Sequence, residues 1–395
     1  MKKATRKHTK NHNRQLVLRT IYREGEISRA ELARATRLTK TTVSTIVSDF
    51  MADNLVVETG RGPSEGGKPP VLLGVLDDSR HLIGLDLANS EFRGCVTNIR
   101  GKVLHRVNKP LSNKNGRLAL DLVFKLADEL LTRVQSPLLG IGIGSPGLMD
   151  ARNGIVRQAV NLDWENLPLR DLLQSRFQVP VYLANDSHAA ALGEYTLGPE
   201  RGSDNLIVLK VGRGISAGIV LNGRLHYGDC SGAGEIGHVR VVPNGDFCTC
   251  GNTGCLETVA SSRAVIKRAK EIFINYPNSD LHSFAASIDE INTDMIINAF
   301  LNGDESIEEI VSEIGYYLGV AVANLIGALN VRNIILAGSL ARFGQPLIET
   351  IQKQMRLSTM STLADYTEVS PSEIGQDLVM LGAASLVLSN ELGVV

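Results

Sequence analysis

The sequence predicts an α/β protein: a small N-terminal winged helix-turn-helix over residues 1–76, then a larger two-lobed α/β body over residues 77–395. Three observations carry this. Residues 1–75 hold 14 Lys and Arg against 7 Asp and Glu, so a head of +7 sits on a body of −8 within a net charge of −1. A pattern of three short strands joined by tight turns occurs twice in the body. After the second occurrence, Gly234–Glu257 gathers one histidine and three of the five cysteines into a single loop, with an acid at each edge.

Composition sets the frame. A chain of 395 residues is long enough for two or three domains with real cores, and its apolar and charged fractions of 43% and 21% are those of ordinary globular proteins. The basic start is not followed by an apolar signal core. The longest apolar run, Tyr316–Val331, holds Asn324, Asn330 and two glycines and is too short to span a bilayer, so it predicts a buried helix and no membrane insertion. Cysteines concentrated at one site fit a reducing cytoplasm better than a disulfide framework.

In the head, residues 1–12 are polar and basic and read as a mobile arm able to lie along phosphates. Asn13–Tyr22 places Leu16, Val17, Leu18 and Ile21 at mostly helical spacing. Ser28-Arg29-Ala30-Glu31 forms a capping box that opens a helix over Arg29–Ala35. Thr36-Arg37-Leu38 makes the turn, and Thr39 caps a second helix, Lys40–Phe50, with Val43, Ile46, Val47 and Phe50 on one face. Lys40, Thr41, Thr42, Ser44 and Thr45 occupy the other face, where hydroxyls and an ammonium can reach base edges and phosphates in a major groove. The alternative is a small helical domain whose threonines only cap. Strand-like Leu55–Thr59 and Val71–Val75 flank a Gly- and Pro-rich tip. This predicts a wing whose Arg61 and Lys68 suit a minor groove, or equally an interdomain linker.

In the body, Leu82–Ala88, Arg93–Asn98 and Lys102–Val107 read as the first strand triplet. Leu206–Gly212, Ser216–Leu221 and Arg224–Tyr227 read as the second, with the hairpin signal Asn222-Gly223. Duplication of this unit predicts two lobes with a ligand cleft between them. Leu139–Gly144 and Val181–Ala184 read as further strands. Asn185-Asp186 follows the latter and precedes a helix over Ser187–Tyr195. That pair is placed either to contact a ligand at a strand end or to cap the helix.

His238, Cys248, Cys250 and Cys255 form an H-x9-C-x-C-x4-C set, whose nitrogen and sulfur donors suit one tetrahedral Zn2+ per chain. Four protein ligands leave no position for water, so the metal is expected to be structural. Glu235, one helical turn before His238, and Glu257, just after Cys255, would be held in fixed positions by such an ion and could accept hydrogen bonds from a polyhydroxylated ligand. Without a metal they read as solvated surface charges.

These stretches together resemble the ROK family of repressors, open reading frames and sugar kinases. The likeness runs from SRAELARATRLTKTTVS through GEIGHV and CTCGNTGCLE to the closing GAASL, and points to the winged-helix repressor branch that includes N-acetylglucosamine and xylose repressors. The resemblance implies an actin- and hexokinase-like (ribonuclease H-like) body, zinc on His238, Cys248, Cys250 and Cys255, and sugar contacts at Asn185, Asp186, Glu235, His238 and Glu257, with the aspartate standing where family kinases keep their base. It also implies operator DNA, a sugar or sugar-derivative effector and assembly as a homodimer or homotetramer. The phosphate loops depart from the kinase pattern D-x-G-x-T and G-T-G-x-G-x-G. Here Asp86-Leu87-Ala88-Asn89-Ser90 lacks the glycine, and Gly212-Arg213-Gly214-Ile215-Ser216 puts side chains where a backbone would approach phosphate. A base without a bound donor transfers nothing, so little or no kinase activity is expected.

Overall fold

The computed structural model describes residues 6–63, 69–88, 90–112 and 114–394, with side chains from residue 8 onward. The chain divides into two compact units, one of residues 1–147, 151–184 and 383–395, the other of residues 148–150 and 185–382.

The first unit begins with α1 (Arg6–Glu24), β1 (Ile27–Ser28), α2 (Arg29–Thr36), α3 (Lys40–Ala52), β2 (Val56–Arg61) and β3 (Val71–Val75). Ser28 and Glu31 form the expected reciprocal cap, Arg37 ends α2 in the left-handed region at φ 56°, and the Thr39 hydroxyl accepts from Thr42 N to start α3. The strands pair in the order β1-β3-β2. Helix α1 is longer than its apolar stripe, and residues 6–12, read as a mobile arm, are helical. Once Val17, Leu18 and Ile21 are packed, adding good helix formers such as Lys and Arg at the exposed end costs little. Arg14 ties α1 to α3, reaching Asp49 at 2.9 Å and Asp53 at 3.3 Å with its guanidinium 4.6 Å from the Phe50 ring centre.

The core of this head does not close on itself. It continues into Leu82, Ile99, Ala384, Val387, Leu388 and Val394. Arg19 Nε donates to the Gly393 carbonyl at 3.0 Å and Tyr22 donates to the Ile99 carbonyl at 3.0 Å, so residues from the far end of the sequence pack beneath α1.

The same unit carries β4 (His81–Asp86), β5 (Glu91–Asn98), β6 (Val103–Pro110), α4 (Gly116–Leu131) and β7 (Leu138–Ser145). After β8 (Leu148–Asp150), which belongs to the second unit, the first unit continues with β9 (Ile155–Ala159), β10 (Trp164–Leu167), α5 (Leu169–Phe177) and β11 (Val181–Asn185), whose last residue begins the second unit's long segment. Strands β4, β5 and β6 form an antiparallel meander, β7 runs parallel to β4, and the order is β11-β7-β4-β5-β6.

The second unit repeats this plan. Helix α6 (Asp186–Leu197) leads into β12 (Leu206–Val211), β13 (Ile215–Leu221) and β14 (Arg224–Leu225), and β15 (Asn333–Ala337) and β16 (Glu368–Pro371) complete the sheet. Its order, β14-β13-β12-β15-β16, is the first sheet's connectivity over again: a three-stranded meander, then two later strands added beside its first member. Among the intervening helices are α7 (Leu256–Ala260) and α8 (Ser262–Asn275), then α9 (Leu281–Phe284), α10 (Thr293–Leu301) and α11 (Glu305–Leu329). Helix α11 is 25 residues long and apolar enough by composition to cross a bilayer, yet 61% of its most apolar window is buried inside the protein, where Ile310, Ile314, Leu318 and Val322 join the core of this unit. It is a core helix.

Candidate functional site

Strand β11 ends at Asn185 and α6 begins at Asp186, so both side chains stand at a strand–helix junction. Asn185 is 5% exposed, and its Oδ1 accepts from Ser187 N at 2.9 Å and from the Ser187 hydroxyl at 2.6 Å. The capping alternative weighed for this residue is therefore what its oxygen does here. Asp186 Oδ1 accepts from Ser187 N at 3.0 Å, and its Oδ2 lies 2.6 Å from the Lys210 ammonium on β12. Sequence reasoning missed Lys210. Its signal was a lone charge in the otherwise apolar run Leu206–Val211, two residues before the glycine turn at Gly212. The pair is largely enclosed, with side-chain exposures of 14% and 10%.

The second wall comes from the loop after β14. Gly234, at φ 90°, lies so close to β13 that a Cβ would stand 1.7 Å from the Ala217 carbonyl oxygen, so only glycine brings the chain into this path. Glu235 follows, and a short 3-10 turn, Ile236–His238, presents the imidazole. His238 Nε2 faces Glu235 Oε2 at 4.0 Å, while its Nδ1 lies 3.8 Å from Glu257 Oε1 and 3.4 Å from Cys248 Sγ. Burial pushes the Glu235 carboxyl upward and the His238 ring opposes this, while the nearby charges of Asp186 and Glu257 add to the rise. Asp186, Glu235, His238 and Glu257 thus form one polar neighbourhood. Glu257 on α7 is 7% exposed and holds Arg263 at 3.3 Å.

His238, Cys248, Cys250 and Cys255 converge, with one donor atom from each lying within 4.8 Å of every other. Cys250 and Cys255 sulfurs are 3.7 Å apart. Tetrahedral bonds of zinc length would separate two sulfurs by about 3.8 Å and a sulfur and a nitrogen by about 3.6 Å, so the donor set fits a metal of that kind. The bare thiols differ sharply: burial pushes Cys248 up to about 12, whereas the Asn252 backbone N–H pulls Cys250 down to about 7. With Nδ1 directed at the sulfurs, Nε2 of His238 is left toward Glu235, so a metal and a ligand would use different ring atoms of this residue.

The phosphate-loop positions are arranged otherwise. Asp86 is 1% exposed, and its Oδ1 accepts from Ala88 N at 2.9 Å; Asn89 lies outside the described residues. Between β12 and β13 the Gly212–Gly214 turn closes with a 3.0 Å hydrogen bond, and Arg263 Nε donates to the Arg213 carbonyl at 3.1 Å. Burial and the neighbouring Arg263 charge both lower the Arg213 pKa.

In the head, Lys40, Thr41, Ser44 and Thr45 are exposed along α3, and Ser48 extends the same open face one turn further. Thr42 is half-buried, with its hydroxyl 2.9 Å from that of Thr39. Arg61 is exposed at the end of β2, and Lys68 lies outside the described residues.

Fold and site together define a class: a winged-helix DNA-binding head on a duplicated, actin-like α/β body with a thiol-rich loop that could hold a metal ion. A sequence profile of the ROK family matches residues 82–390, and one of the MarR family matches residues 16–65. The chain belongs to the ROK family. It is similar to the xylose repressor of Caldicellulosiruptor bescii, 34% identical over 388 residues that span 97% of each chain. Among solved structures it is similar to a ROK family transcriptional regulator described as a homologue of the Escherichia coli MLC protein, with TM-score 0.85, 28% identity and 98% of both chains covered. It is also similar to a ROK family glucokinase from Streptomyces griseus in complex with glucose and AMPPNP, with TM-score 0.72 and 28% identity, over 78% of this chain and 98% of that one.

Proposed function

We propose that this protein is a sugar-responsive transcriptional repressor that acts in the cytoplasm. The winged head binds operator DNA through α3, with Lys40, Thr41, Thr42, Ser44 and Thr45 toward the major groove and Arg61 and Lys68 on the wing. The body binds a sugar or sugar derivative through Asn185, Asp186, Glu235, His238 and Glu257. One structural Zn2+ on His238, Cys248, Cys250 and Cys255 braces the two acids. The observation that carries this reading is the likeness to a regulator over 98% of both chains, head included. As a homodimer or homotetramer the protein would meet two half-sites, and an effector that alters the spacing of its heads would weaken the match to the groove repeat.

The glucokinase likeness favours a second reading, a sugar kinase with a regulatory head. Two features oppose it. Arg213 occupies the turn where a phosphate would need close backbone approach, and Lys210 already pairs with the aspartate that would serve as base. Sugar-dependent ATP consumption by the purified protein would restore the kinase reading.

The test is anisotropy of labelled DNA from upstream of the protein's own gene, titrated with and without sugars and sugar phosphates. One compound is expected to shift the midpoint; DNA that never binds specifically would sink the repressor reading. Within that assay, Thr41→Ala combined with Ser44→Ala is expected to cut the ratio of operator to random-DNA affinity by about 10-fold or more, since each base contact discriminates by about 1–3 kcal/mol. Equal losses on both DNAs would show that this face touches only phosphates.

A further inference from the structure

His188 lies two residues beyond Asp186 on α6, is 2% exposed, and has no part in the site as described so far. Its Nε2 stands 3.1 Å from the Ala233 carbonyl oxygen. A carbonyl can only accept, so Nε2 carries the proton and donates. The ring also meets Tyr227 edge to face, with centroids 5.1 Å apart and an interplanar angle of 82°. Tyr227 and Ala233 are themselves joined, because Ala233 N donates to the Tyr227 carbonyl at 3.1 Å. The imidazole therefore grips both ends of the loop over residues 227–233 immediately before Gly234 and Glu235. Beyond that point the loop is held to the sheet by Ala217 N donating to Gly234 O at 2.7 Å.

We propose that His188 is a positioning residue for the effector site: it fixes the loop that carries Glu235 against the helix that carries Asp186. Deepening the sugar reading above, this assigns a residue outside the ligand contacts to the spacing between the site's two walls. Burial lowers the His188 pKa, which keeps the ring neutral and leaves its contact with Ala233 and Tyr227 uncharged. An alanine there would remove the donor and the ring together, while the hydrogen bond from Ala217 N on β13 to Gly234 O would remain.

The experiment uses the full-length, metal-loaded protein as wild type, His188→Ala, His188→Gln and Tyr227→Phe. Calorimetric titration employs D-glucose, D-xylose, N-acetyl-D-glucosamine and their phosphates. For whichever compound binds the wild type, His188→Ala is expected to weaken affinity by about 10-fold, the scale of one lost hydrogen bond with its packing. His188→Gln, which keeps an amide donor, should recover most of it, and Tyr227→Phe, which keeps the ring, should match wild type. Metal content and operator affinity without effector should match wild type in all three variants, which a general folding defect would not allow. Amide exchange supplies a readout that needs no sugar: Gly234 and Glu235 should exchange faster in His188→Ala and slow again in His188→Gln. Sugar binding by His188→Ala equal to wild type, or unchanged exchange at these amides, overturns the proposal. Normal exchange changes with no compound binding the wild type would instead overturn the sugar reading and leave the loop clamp standing.

Discussion

Asp186→Ala should abolish the effector response and also destabilise the protein by about 3 kcal/mol, because it takes the paired carboxylate away from the Lys210 ammonium in an enclosed site. The pair is short, 2.6 Å, and neither side chain is more than 14% exposed. Removing one member of such a pair costs more than the pair itself is worth, because the remaining charge loses its closest counter-ion. For a unit of this size the loss corresponds to roughly 10 °C in melting temperature. The double variant Asp186→Ala with Lys210→Met separates the two effects. Stability should return most of the way, since an ion pair replaced by apolar groups is near neutral, while effector binding should stay absent. Thermal melts and calorimetric titration of wild type and both variants decide it. A double variant that binds the effector normally would remove Asp186 from the ligand site.

Cys250→Ser should lose the metal and, with it, the effector response. A variant at a direct ligand is expected to weaken metal affinity by more than the roughly 10- to 100-fold typical of residues merely supporting a ligand. Glu257 directly follows α7's first residue after Cys255, and Glu235 sits 4.0 Å from the His238 ring, so both acids depend on the loop's closure. Metal content by elemental analysis should fall from one zinc per chain toward none, and sugar affinity should fall in parallel. The proposed DNA-reading face, on α3, belongs to the other compact unit, so operator binding without effector should persist. A metal-free protein that answers the effector normally would show that the ion does not brace the site.

The parts legible in the sequence were those encoded locally. The capping box at Ser28 and Glu31, the Thr39 cap and the stripe Val43, Ile46, Val47 and Phe50 each depend on residues a few positions apart, and α2 and α3 fall where those signals put them. The donor cluster that could hold a metal was legible for the same reason, its four residues lying between His238 and Cys255. Helix α1 was harder, because its first residues carry no apolar stripe and are helical only as an extension of a packed segment.

Contacts between distant segments were not legible. Lys210 meets Asp186 across 24 positions because α6 packs on β12 and β13, and nothing in LIVLKV names its partner. Arg19 bonds Gly393 across 374 positions, and Val394 enters the head's core. Periodicity, caps and close spacing act within a few residues, so the helix-turn-helix, the two strand triplets and the donors that could gather a metal were readable from the sequence. Tertiary structure alone decided that a lysine occupies the aspartate, that His188 clamps the glutamate's loop and that the chain's end underlies its head. These depend on which surfaces meet when the sheets are covered, and burial free energy selects that pairing over the whole chain and not at any one stretch of it.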